Sequence, residues 1–309
     1  MIRLNFTHSL QIVAMVTGAL SLFTTPQLSA NEQSPSHVFQ MATQLQNEMI
    51  ALREAEGVTE KPTEPAVQTN KKPIHVYAKG VEVRNKIIRL QKKYGIPSLA
   101  PIGLPDFAAT PTHVFQIVEP LTRAVKEINE AKGNTAKIAP FIPGKSPSNV
   151  YRKLWQVSYL FNGLIPPINP NLVYRNAQQS VLELENILSE YNVPIPAEQM
   201  PNLKGIKLTP YDVNVEAFKN MYRLAALSRV IDMPPSYASD FPIGKITPSE
   251  AFDTSNAILV EITRVKLALD ISKKIPVIGI PSGKKPADVL IQMRRVGQLI
   301  NALTNSIKQ

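Results

Sequence analysis

The 309-residue chain has no cysteine, four histidines and 13 glycines, and only 6% of it is aromatic. The lack of cysteine excludes disulfides, thiolate metal sites, zinc fingers and cysteine nucleophiles together. So few histidines, one of them (His8) near the N-terminus, leave little material for imidazole catalysis. No segment resembles a phosphate-binding P-loop or a dinucleotide-binding glycine fingerprint. No apolar run after residue 30 is long enough to cross a bilayer, so no transmembrane segment is expected in the mature chain.

Proline (27 residues) and positive charge are plentiful: 34 Lys+Arg stand against 24 Asp+Glu, a net charge of +10. Residues 1–30 read as a signal peptide. Arg3 supplies the positive start, Leu10 to Phe23 the apolar stretch, and Leu28-Ser29-Ala30 a cleavage site before Asn31. The alternative is an uncleaved anchor helix, for which about 14 apolar residues are short. With no cysteine to carry a lipid, the reading is a periplasmic or secreted protein that is not a lipoprotein. The leader holds one Arg and no acid, so the mature chain stays strongly basic.

A repeat emerges when the prolines are aligned. Pro35, Pro73, Pro111, Pro147, Pro170, Pro210, Pro248 and Pro286 each stand three residues before a Val or Ala, at intervals of 38, 38, 36, 23, 40, 38 and 38. Six of the eight preceding residues are Ser, Thr or Asn, which are good N-caps, and proline suits the first helical position. Asp212, Glu250 and Asp288 add acids in the first turn, where the helix dipole favours them. Apolar residues then follow at 4-3-4-3 spacing, as in Val38, Ala42, Leu45, Met49 and Leu52, or Val150, Leu154, Val157, Phe161 and Leu164. That spacing is the seam of a helix packed nearly parallel to its neighbours in a bundle. Ser180 and Asn220 interrupt it in units five and six, and Pro120 predicts a kink in the third helix.

The expectation is an all-α protein: eight repeated helices of about 20 residues with Pro-rich connectors, forming two related four-helix bundle units. The units span 31–166 and 167–309. Their prolines correspond pairwise across the short 23-residue step, which points to a duplication. Connectors such as IPSLAPIGLPDF and IPVIGIPSGK are too apolar for free linkers and are expected to lie over the bundles. About 15 extended residues also suffice to return the chain along a helix, which would allow parallel neighbours.

Three groups of residues suggest chemistry. His37, His75 and His113 fall at one position of three successive units and, in parallel helices, could gather as a metal site or a pH-responsive cluster. The competing explanation is local capping or packing copied with the unit. Lys145, Lys245 and Lys284, each after a glycine and before a helix start, could with the free N–H groups hold an anion. Gly144-Lys145-Ser146 resembles the tail of a phosphate loop but lacks its leading glycine and its strand. The third feature is the spread of basic residues, for example Arg84, Lys86, Arg89, Lys92 and Lys93, which reads mainly as a solvated helix face. Trp155 with Tyr159 and Phe161 reads as core.

No serine elbow accompanies the histidines, and repeated helices usually present surfaces, so no enzyme activity and no cofactor are expected. The reading is a non-enzymatic binding or scaffold protein of the bacterial envelope. Its partner would be an envelope protein or an anionic envelope component, not nucleic acid. The alternative is a small-ligand or metal-binding sensor that uses the repeated histidines.

Overall fold

Every repeat proline opens a helix. A computed structural model of the protein describes residues 32–309 apart from 63, 200–202, 204, 205, 236–240, 243–245 and 309, so the signal-peptide reading lies outside the described residues. The helices are α1 Pro35–Ala55, α2 Pro73–Tyr94, α3 Pro111–Ala131, α4 Pro147–Tyr159, α5 Pro170–Glu190, α6 Pro210–Val230, α7 Pro248–Ala268 and α8 Pro286–Ile307. The described residues form no strands, only one isolated bridge between Asn162 and Ile165. Helix α3 runs on through Pro120 as a single element.

The seams form two cores, one within 38–165 and one within 168–303, and residues 33–309 make one compact unit. Val38, Leu45, Leu52, Ile87, Leu121, Leu154 and Ile300 are all almost fully buried. The polar seam residues are buried too, with their groups occupied. Ser180 Oγ donates to Asn176 O at 2.9 Å, and Asn220 Nδ2 reaches across to Met293 O at 2.7 Å. At Gly80 the helices approach closely: a Cβ there would lie 2.9 Å from Ile117 Cγ2.

Within each bundle the first helix does not pack on the second, nor the third on the fourth. In the first bundle α1 and α2 each pack on both α3 and α4, and in the second α5 and α6 each pack on both α7 and α8. All four helices of a bundle point the same way. Pro35, Pro73, Pro111 and Pro147, with Val38, Val76, Val114 and Val150, surround one recess at the end of the first bundle. Lys145 N donates to Ser36 Oγ and Lys71 N to Ser148 Oγ at that end. The duplicated contact, Lys284 N to Asn171 Oδ1 at 2.8 Å, recurs in the second bundle.

Parallel packing requires each connector to run back the full length of a helix. Segments 56–72, 95–110, 132–146, 191–209, 231–247 and 269–285 have the reach: about 15 extended residues span about 50 Å, against roughly 30 Å for a 20-residue helix. Long polar side chains on the helices hold the extended backbone. Gln40 Nε2 donates to Ala139 O, Gln44 Oε1 accepts from Ala139 N, and Asn47 Nδ2 donates to Lys137 O. In the other half Gln179 Oε1 accepts from Ile278 N. Gln91, Arg84 and Arg295 hold Leu99 N, Ala100 O and Pro196 O in the same manner.

The link between α4 and α5, residues 160–169, is too short to make that return. The second bundle therefore runs opposite to the first. Where α2 meets α7, His75 pairs with Glu261 while Lys79, one turn further on, pairs with Asp253, an earlier residue of α7.

Helix α4 ends well short of the expected 20 residues. Its seam nevertheless continues, because Phe161 and Leu164 are 1% and 2% exposed in the turns that follow. Gly163 at φ +82° bends the chain there. Side chains of α1 and α2 satisfy the carbonyls that leave the helix: Arg53 holds Leu160 O and Asn162 O, and Lys93 holds Leu164 O.

Candidate functional site

The three repeated histidines do lie at the same end of parallel helices, but each is used by its own helix. At the third helical position, His37 Nδ1 accepts from Ser34 N at 3.1 Å, His75 Nδ1 from Lys72 N at 2.8 Å and His113 Nδ1 from Thr110 N at 3.2 Å. Asn149, Asp212, Glu250 and Asp288 do the same for their own caps in other units. The position requires an acceptor for the cap N–H, and imidazole, amide and carboxylate all supply one. The other face of His37 meets the Phe141 ring, and His113 meets Phe107. Among the described residues no group of three His, Asp or Glu side chains is placed to hold a metal ion.

Lys145 and Lys284 occupy equivalent positions, each with its ammonium over an aromatic ring: Phe39 at 4.8 Å and Tyr174 at 4.2 Å. Lys245 lies outside the described residues. The basic face of helix two is not simply solvated. Arg84 and Arg89 hold the carbonyls of Ala100 and Pro166, and Lys86 is buried.

Lys86 belongs to an ionic cluster where α2 and α4 meet α7. Lys79 Nζ sits between Glu82 and Asp253 Oδ1 (3.2 Å), and over the rings of Trp155 (4.9 Å) and Tyr151 (5.7 Å). Glu82 Oε1 also receives Ser158 Oγ at 2.6 Å and Lys86 Nζ at 3.1 Å. Trp155 Nε1 donates to Asp253 Oδ2 at 3.1 Å, so this tryptophan, partly buried against the first core, also reaches across to the second bundle. Beside it His75 Nε2 meets Glu261 Oε1 at 2.7 Å, and Arg264 Nη1 holds the other oxygen at 2.6 Å. The backbone N–H on Nδ1 fixes the neutral tautomer that donates from Nε2.

Burial by itself would lower the Lys79 pKa, but Asp253 and Glu82 outweigh it and hold the ammonium well above its ordinary value. Burial would likewise raise Glu82, yet Lys79 and Lys86 hold it down at about 2. Asp253 shares its lysine with Glu82, and burial prevails there, raising its pKa to about 6. For His75, burial outweighs the pull of Glu261 and keeps the pKa below 6.5.

These shifts set opposite pH dependences. Asp253 binds its proton more tightly in the folded state, so its stabilising contribution is complete below about pH 4 and is lost as pH rises through about 6. The contribution of His75 is complete above about pH 6.5 and declines on acidification. Comparing wild type with Asp253→Asn cancels the histidine. The stability difference between them is expected to move by about 2–3 kcal/mol against the wild type between pH 4 and 7, in urea unfolding at each pH. A difference that does not change with pH means that Asp253 titrates as an ordinary carboxyl.

A groove of about 550 Å³ adjoins the cluster. Its floor and walls are Ala78, Val81 and Asn85 of α2, Arg175 and Gln179 of α5, and Phe252, Asn256 and Leu259 of α7. The connector segments 101–106 and 271–275 line it as well. In the sequence, these residues were hidden by ordinary patterns: Lys79, Glu82 and Lys86 have the spacing of exposed helical ion pairs. One signal was present. Ile74, Ala78 and Val81 give helix two a second apolar stripe beside its seam, and Ile74 and Ala78 pack with Val260 of α7. No protein-family model, curated protein or solved structure matches the chain.

Proposed function

We propose that this is an exported, non-catalytic binding protein whose ligand sits in the groove between its two bundles. The groove itself carries the reading. At about 550 Å³ it falls within the roughly 300–1,000 Å³ of small-molecule sites, and it combines apolar walls with a few polar groups. The buried carboxylates beside it are engaged in ion pairs, which suits a structural role better than acid–base chemistry. The ligand-binding reading thus rests on the groove and not on the repeated histidines.

The test fills the groove. Leu259 is half-buried in its wall, and Leu259→Trp should occupy the space while leaving the fold intact. Native mass spectrometry of protein purified from expressing cells is expected to detect a small molecule on the wild type and none on Leu259→Trp, with unchanged circular dichroism. A wild type without any adduct, or equal adducts on both proteins, would overturn the reading.

A second reading, as an adaptor for another envelope protein, is favoured by a duplicated surface. Ile138 and Phe141 in one connector, and Val277 and Ile280 at the equivalent places in another, are exposed apolar residues. Crosslinking in living cells would then recover one envelope protein, and Ile138→Ser with Val277→Ser would abolish that product.

A further inference from the structure

The charged residues that line the groove almost all neutralise one another. Lys266 pairs with Glu183 at 2.6 Å, Lys274 with Asp106 at 2.5 Å, Lys273 with Glu190 at 3.2 Å, and Glu82 with its two lysines. Arg175 is the exception. It has no acidic partner among the described residues, and its Nε and Nη2 both donate to the neutral Oδ1 of Asn176, at 3.3 and 2.9 Å. Its Nη1 makes no hydrogen bond among the described residues. Burial lowers its pKa with nothing to offset the effect, the mark of a cation without a counter-charge.

Asn176 links Arg175 to a second open donor. Asn176 Nδ2 donates to Asn256 Oδ1 at 2.7 Å and to Ser255 Oγ at 3.0 Å. That contact engages the acceptor end of the Asn256 amide and leaves its Nδ2, which is buried and unpartnered. The groove wall therefore offers two donors joined through one asparagine, one of them charged, next to Ala78, Val81, Phe252 and Leu259.

We infer that the groove takes a small amphipathic carboxylate, its anionic head between Arg175 and the Asn256 amide and its hydrocarbon body along the apolar wall. A carboxylate only accepts hydrogen bonds, as two open donors require, and its single charge matches the single unpaired guanidinium. A phosphate dianion would bring a second charge that nothing beside Arg175 neutralises among apolar walls. This rests on the groove being the binding site.

Isothermal titration calorimetry with octanoate and 4-phenylbutanoate, against 1-octanol and 4-phenylbutanol, separates the two ideas. The carboxylates are expected to bind the wild type at least about tenfold more tightly than the matching alcohols. Arg175→Gln should weaken the carboxylates by about tenfold or more and the alcohols by less than about twofold. Asn256→Ala should weaken the carboxylates by a smaller factor, and it serves as the variant if Arg175→Gln does not fold by circular dichroism. Alcohols binding as well as carboxylates, or carboxylates insensitive to both substitutions, would overturn the inference and leave the groove reading standing. No binding by any of the four compounds would overturn both.

Discussion

Replacing Lys79 with Met is expected to lower the stability of the folded chain by about 3–5 kcal/mol, the range for removing one partner of a buried ion pair. Methionine is unbranched like lysine and close to it in volume, so the loss is mainly one of charge. It is the loss of the cation that forms an ion pair with both Glu82 and Asp253. Glu82 keeps Lys86 and Ser158, but Asp253 keeps the Trp155 indole and no ion pair among the described residues. The melting temperature should fall by about 10 °C, given roughly 2–4 °C per kcal/mol in a chain of this size. Adding Asp253→Asn should restore much of the loss, because Asp253 is the carboxylate left buried without its ion pair, whereas Glu82 keeps Lys86. If Lys79→Met melts with the wild type, the contact between the bundles is open to water and the cluster does not hold them together.

Phe161→Ala is the second large effect, also about 3–5 kcal/mol, as for an aromatic removed from a packed core. Phe161 lies beyond the end of α4, in a stretch that looks like a surface turn, yet it is 1% exposed and packs in the first core. Nearby carbonyls are fixed by Arg53, so the turn has little freedom to collapse into the space left by the ring. Phe141→Ala is the matched control: that ring is 48% exposed on a connector, and its loss should change stability by less than about 0.5 kcal/mol. Urea unfolding of both variants decides it. Equal small effects would mean that the chain after Tyr159 is not part of the core.

The same comparison separates what the sequence made legible from what it did not. The burial of Phe161 and Leu164 is legible, because the 4-3-4-3 spacing marks burial whether or not the backbone stays helical. The length of α4 is not, because it depends on Gly163 and on carbonyl partners from α1 and α2, more than 70 residues away in the chain. The histidines show the reverse case. Their recurrence every 38 residues looked like shared chemistry, and the structure uses each as a local acceptor for its own cap.

Helix starts, the stripe that each helix buries and the grouping into two sets of four helices are all legible in the sequence. These follow from interactions within a few residues: proline and caps at helix starts, and side-chain direction along a helix. Tertiary structure alone decided that each bundle is parallel, that the second runs opposite to the first, and that α2 meets α7. Those outcomes depend on the length a connector must cover and on pairs such as His75 with Glu261, 186 residues apart. Periodicity records that a face is covered, and it carries no record of which distant face covers it. The groove beside Arg175 exists only because two such faces met.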